Sequence, residues 1–199
     1  MKKIETIWHY LLYQAIEQKS LKHTQSALAL DFGFSISTIN LALKKPTAIG
    51  AIRKSGKFFV VADAQKLLYL ASTIRNLSKD IIYQTKSEMP IHALEGLAPA
   101  SAIFGGYTAA SHLLGGEPPA DYSSLYLYCD PICLEEVSIR YPSSKTGSTQ
   151  VIVLRKPIYS PTPNTTSLPH TFVDIWNMRD WYARDFTIAL EEKINGLLS

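Results

Sequence analysis

Short polar side chains and lysines recur at helical spacing just after a glycine, in the stretch ISTINLALKK. Ser37, Thr38 and Asn40 can contact base edges, and asparagine pairs most selectively with adenine. Lys44 and Lys45 follow on the same side and carry the charge that contacts phosphates. These residue types are typical of a helix that enters the major groove of duplex DNA.

A second basic group follows in AIRKSGKFFV. Two short β-prone runs, Ala51–Lys54 and Lys57–Val61, flank the turn pair Ser55-Gly56, and this pattern predicts a hairpin. Its basic residues would contact the DNA backbone or minor groove, which sets affinity and salt dependence rather than sequence choice. The predicted DNA-binding set is Ser35, Ser37, Thr38, Asn40, Lys44, Lys45, Arg53, Lys54 and Lys57.

The carboxylates of the second half are badly spaced for metal chemistry. Two-metal catalysis needs carboxylates that hold two ions about 3.5–4 Å apart. Asp121 and Asp130 lie at opposite ends of a predicted strand about 20 Å long, so they cannot share such a pair. Asp174 stands alone, and we expect it to cap a helix or loop. With no P-loop and no G-x-G-x-x-G, the sequence predicts neither a cofactor nor an enzyme.

The elements that would position the first-half residues can be placed from apolar spacing and capping residues. We expect helices over 4–16, Thr24–Phe32 and Ile36–Lys45, with a fourth beginning after Asp63. Gly33 permits the sharp turn between the second and third helices, and Ser35 is the expected cap of the third. That helix should bury Ile36, Ile39 and Leu43, end before Pro46, and be followed by anchors at Ile49 and Ile52.

Three helices, a basic hairpin and a further helix make an order that resembles the winged-helix family of DNA-binding domains. The stretch SALALDFGFSISTINLALKK is similar to the helix-turn-helix core of that family. The resemblance covers residues 3–62. It implies that the third helix contacts the bases of DNA and that the hairpin contacts the flanking DNA backbone or minor groove. Two alternatives stay open: the lysines form only a solvated face, or the domain binds proteins.

The second half alternates helices and strands after a connector at 75–90. Its Tyr107, Tyr122, Tyr126 and Tyr128 would line a pocket or be half-buried strand residues, and Cys129 with Cys133 should be two reduced thiols. We expect helices at His92–Leu97, Tyr107–Leu114, Leu134–Arg140 and Asp180–Leu198, and strands at Ser101–Phe104, Leu125–Cys129, Gln150–Leu154 and Phe172–Trp176.

The segment AIFGGYTAASHLLGG resembles the nucleotidyltransferase-like superfamily, which opens with such a glycine turn at Gly105-Gly106. The next strand of that family carries two aspartates, but here it reads SSLYLY, so the resemblance implies the fold without its catalysis. A basic first half followed by such a second half resembles the AbiEi-type antitoxin regulators. That implies operator binding, autorepression and a nucleotidyltransferase-type toxin protein as partner.

The net charge also differs between the first and second halves of the 199-residue chain. Residues 1–80 carry a net charge of +7 and residues 81–199 carry −4, which suggests that only the first part meets a polyanion. We predict an α+β protein with a winged-helix domain at 1–80 and an α/β nucleotidyltransferase-like domain at 81–199. We expect no membrane span or signal peptide, a cytoplasmic location, and a homodimer if the operator is palindromic. A ligand-sensing regulator and a protein-interaction module, both without enzymatic activity, stay open as alternatives, and a nucleotidyltransferase is the weaker one.

Overall fold

The computed structural model describes residues 1–199 as a mixed α+β fold. The first half contains α1 Lys3–Ile16, β1 Lys22–His23, α2 Gln25–Phe32, α3 Ile36–Ala48, β2 Ile52–Ser55, β3 Phe58–Val61 and α4 Ala64–Ile74. After a 3₁₀ turn at Leu77–Asp80, the second half contains β4 Ile81–Ser87, α5 Ile91–Gly96, β5 Ile103–Gly105, α6 Gly106–Leu114, β6 Ser124–Cys129, α7 Pro131–Arg140, β7 Thr149–Arg155, α8 Leu168–Ile175 and α9 Ala183–Leu198. No helix is long and apolar enough to cross a membrane.

The first half folds as four helices and a small antiparallel sheet in the order β1-β3-β2. The predicted helices are confirmed, including their caps, because the side chains of Thr24, Ser35 and Asp63 each accept a backbone N–H three residues on. The hairpin is confirmed too, but Ser55 pairs with Phe58, so its turn is Gly56-Lys57 rather than Ser55-Gly56.

Pro46 does not end the third helix, contrary to the prediction, because α3 runs on to Ala48. A proline at this position cannot donate to the carbonyl oxygen of Ala42, four residues earlier. The indole of Trp8 donates to that oxygen instead, at 2.7 Å, and Pro46 itself is buried. The expected burial of Ile36 and Ile49 is also wrong, since these side chains are 44% and 41% exposed at the two ends of α3.

The second half is built on a four-stranded sheet in the order β4-β7-β6-β5. β6 and β7 are parallel, while β4 and β5 are antiparallel to their neighbours. Leu125, Leu127 and Val151 on one face pack with Leu94 of α5 and Val137 of α7. The opposite face belongs to a second apolar cluster that also contains residues of α6, α8 and α9.

Two predictions about secondary structure and one about the cysteines of the second half are wrong. The connector at 75–90 contains the 3₁₀ turn and β4, which pairs with β7. The segment Phe172–Trp176 is the end of helix α8 and not a strand. Cys129 and Cys133 are joined as a disulfide, because the turn from β6 into α7 brings their Cα atoms to 5.2 Å.

One apolar cluster of 36 residues extends through both halves. Helices α1 and α4 of the first half both pack against α8, so the first half is fixed to the second through a shared core. Helix α3 and the hairpin are not among the elements that make this contact, and most of the predicted site residues on them are exposed.

Candidate nucleic-acid interface

The turn between α2 and α3 is fixed by local chemistry. Gly33 ends α2 in the left-handed backbone conformation, with φ of +61°, which glycine adopts without steric cost. Ser35 then begins α3 by accepting a hydrogen bond from the backbone N–H of Thr38 at 3.2 Å. The inner face of α3 buries Ile39 and Leu43 in the core, so the opposite face is directed to solvent.

The outward face of α3 holds the polar residues that the sequence singles out. Ser37, Asn40, Lys44 and Lys45 are exposed, and Thr38 is half-buried. Ser35 is different, because its hydroxyl also contacts the hydroxyls of Ser37 at 2.8 Å and Thr38 at 2.9 Å. Ser35 therefore positions its neighbours, while Asn40 and the lysines have free side chains.

A groove of about 460 Å³ lies between α3 and the hairpin and brings part of the predicted set together. It is lined by Ser37, Asn40, Leu41, Lys44, Thr47 and Lys54. Lys57 instead lines a second groove of about 440 Å³, together with Lys54 and with Gln25 and Ser26 at the start of α2. Lys45 and Arg53 are exposed but line neither groove. The interface is thus two adjoining grooves that share Lys54 of the hairpin.

The cations of this surface lack acidic partners. None of Lys44, Lys45, Arg53, Lys54 and Lys57 has a carboxylate within 4.0 Å. Five unpaired positive charges on one helix and the hairpin next to it create a positive potential that a polyanion would neutralise.

Sequence reasoning missed two residues of the first groove. Leu41 is 58% exposed there, and the hydroxyl of Thr47 is buried without a hydrogen-bond partner. Position 47 follows Asn40 by seven residues and Lys44 by three, so helical spacing places it on the same face. The expectation that α3 ends before Pro46 hid this signal.

The prediction that Asp174 caps a helix or loop is wrong. Asp174 is instead the centre of a buried polar cluster. It is completely buried on α8 and accepts hydrogen bonds from Arg75 Nε at 2.9 Å and from the hydroxyl of Tyr128. Arg75 also pairs with Asp80 and, at 3.6 Å, with Glu5. Burial alone would lower the pKa of Arg75, but the Asp174 carboxylate, Tyr128 and the hydrogen bond to Asp80 together outweigh that effect, and the pKa is raised. This cluster ties α1, α4, β6 and α8 together.

Two buried histidines adjoin this cluster. The rings of His9 and His170 lie 4.2 Å apart, and His170 Nε2 is 3.2 Å from the hydroxyl of Tyr128. Burial lowers the pKa of His170 to about 3, with the charge of Arg75 adding to the effect. Burial followed by repulsion from His170 lowers the pKa of His9 as well. Both rings are therefore neutral near pH 7.

The other two aspartates that the sequence singles out, Asp121 and Asp130, lie at opposite ends of β6. Asp130 begins α7 by accepting the backbone N–H of Cys133 at 3.0 Å, and Asp121 is exposed before β6. No group of three or more His, Cys, Asp or Glu residues in the chain could hold a metal ion. Comparison with protein families, curated proteins and solved structures finds no match for this chain.

Proposed function

We propose that this chain is a sequence-specific, double-stranded DNA-binding transcriptional regulator whose first half is a winged-helix domain. The observation that carries the proposal is the groove between α3 and the hairpin, where free polar side chains meet unpaired cations. The order of helices and strands, with the sheet order β1-β3-β2, supports it because a winged helix follows the same order.

The dimensions of α3 suit the major groove. Its 13 residues make a rod about 20 Å long, and a helix with side chains is about 10–12 Å across. The major groove of B-DNA is about 12 Å wide. In this arrangement Asn40 hydrogen-bonds to a base edge, with Ser37 and Thr38 on either side of the same contact region. Lys44 and the basic hairpin residues contact phosphates on the flanks.

The test is a binding titration against duplex DNA at two salt concentrations. Asn40→Ala should reduce discrimination between cognate and scrambled duplexes by about 1–3 kcal/mol. Lys57→Ala should weaken binding to both duplexes alike and lower the salt slope by about 0.9. Lys145→Ala removes an exposed lysine of the second half and serves as the charge-matched control. If Lys57→Ala and Lys145→Ala behave alike, the hairpin does not contact DNA.

We propose further that the regulator represses its own operon as a non-catalytic antitoxin with a nucleotidyltransferase-type toxin as partner. Support comes from the AbiEi-type resemblance and from β6, the strand that follows the Gly105-Gly106 turn and α6, which carries no carboxylate. A duplex from immediately upstream of the coding sequence should then bind more tightly than an equal-length duplex from within it. Equal affinity for the two duplexes would contradict autorepression.

A further inference from the structure

A cavity of about 610 Å³ lies away from the DNA-binding grooves. It lies where α4 passes into the second half, with Arg75 and Asn76 at one side and the segment 177–180 at another. Its floor is the sheet face on which Gln84, Ile152 and Tyr126 pair across β4, β7 and β6. This volume is in the range of small-molecule sites, which is about 300–1,000 Å³.

Tyr126 contributes a free hydroxyl to the cavity. Its side chain is nearly buried, at 8% exposure, yet its hydroxyl makes no hydrogen bond within the protein. This hydroxyl is not one of the fully buried polar atoms of the protein, so it is accessible from the cavity and free to bond to a ligand. The neighbouring tyrosines differ, since Tyr107 donates to Asp180 and Tyr128 donates to Asp174.

The cavity contains one cation and one anion without an ionic partner, and these two residues are next to each other in the chain. Arg179 has no carboxylate within 4.0 Å, and Asp180 has no cation within that distance. One oxygen of Asp180 accepts the Tyr107 hydroxyl at 2.8 Å, which leaves the other oxygen free. Arg75 also reaches the cavity, but its guanidinium is already neutralised by buried carboxylates.

Carboxamides complete the polar lining. Asn177 donates through Nδ2 to the carbonyl oxygens of Ser72 at 3.0 Å and Val173 at 2.9 Å, which leaves its Oδ1 free to accept. Gln84 of β4 and Gln150 of β7 are exposed on the same sheet and line the same space. Such side chains donate and accept equally well, so they suit a ligand with both kinds of polar group.

We propose that this cavity binds a zwitterion of the α-amino acid or short-peptide class. The guanidinium of Arg179 pairs with the ligand carboxylate, for which its planar donors are well matched. The free oxygens of Asp180 and Asn177 accept from the ligand ammonium, and the Tyr126 hydroxyl bonds to a backbone or side-chain oxygen. A polyanion fits less well, because Asp180 would face its negative charge without compensation.

The test uses the intact chain and measures thermal unfolding with each of the twenty standard amino acids and with triglycine. At least one should raise the melting temperature by about 5–10 °C when present at 100 times its dissociation constant. Titration calorimetry of that ligand should then show a loss of affinity of about tenfold or more for Arg179→Gln and for Asp180→Asn. Arg184→Gln, which removes another exposed arginine nearby in the chain, should leave the affinity unchanged.

Three results would overturn the proposal. The first is the absence of a shift with any of these compounds at millimolar concentration. The second is a larger shift with adenosine monophosphate or glucose, which would show a different ligand class. The third is equal affinity of Arg179→Gln and Arg184→Gln. None of these measurements involves DNA, so their failure is distinct from a failure of the proposed DNA binding.

Discussion

The hydrogen bond between Trp8 and Ala42 predicts an unusual dependence on Pro46. The indole Nε1 of Trp8 donates to the Ala42 carbonyl oxygen, which Pro46 leaves without its normal helical donor. Trp8→Phe keeps an aromatic ring but removes the donor, so the carbonyl becomes a buried acceptor without a partner. In the Pro46→Ala background, the new backbone N–H at residue 46 can supply that hydrogen bond.

The magnitude follows from the cost of an unsatisfied buried group. Leaving a buried acceptor unpaired costs about 1–3 kcal/mol, and both Trp8 and Pro46 are buried. Trp8→Phe should also lose packing, but that loss is the same in both backgrounds and cancels in a double-mutant cycle. Trp8→Phe lowers the free energy of unfolding in both backgrounds. We expect this loss to be smaller in the Pro46→Ala background than in the natural sequence, by about 1 kcal/mol or more.

Urea unfolding followed by circular dichroism measures the four free energies of the cycle. The effect of Pro46→Ala on the unfolded chain also cancels, because both chains compared in that background carry the substitution. Equal costs of Trp8→Phe in the two backgrounds would refute the idea that Trp8 replaces the missing donor of α3.

Two further changes test the joint between the halves. Arg75→Gln should destabilise the fold by about 3–5 kcal/mol in urea unfolding, because it leaves the buried Asp174 carboxylate unpaired. Arg140→Gln, which breaks an exposed pair, should cost less than about 1 kcal/mol, and a comparable loss in both variants would contradict this account. The lowered pKa values of His9 and His170 mean that the unfolded chain binds more protons below about pH 6.5. Stability should therefore fall between pH 6.5 and 5, by at most about 1.4 kcal/mol per pH unit for each histidine, and the double substitution to Gln should flatten that profile. An unchanged profile in that double variant would show that other groups govern the acid response.

The sequence predicts the first half well because its signals are local. A helix cap needs only a residue such as Thr24 or Asp63 and an N–H three residues on, and both lie in one short stretch. The end of α3 depends instead on Trp8, 34 residues before the carbonyl it serves. No local pattern around Pro46 contains that information.

The second half is harder because its strands and helices are defined by distant partners. β4 becomes a strand by pairing with β7, far along the chain, and its own sequence does not alternate cleanly. Helix α8 is buried on every side, so it lacks the exposed polar face that marks an amphipathic helix, and its FVDIW end resembles a strand. The candidate interface is predictable because its residues cluster in sequence, whereas the 610 Å³ cavity draws on segments from Arg75 to Asp180.

The most direct measurement of the central claim is selection of bound duplexes from a random double-stranded library. The natural chain should enrich one sequence motif, and Asn40→Ala should flatten the preference at one or two base pairs of that motif while retaining binding. Enrichment of no motif by the natural chain, or an identical motif with Asn40→Ala, would contradict base recognition by α3.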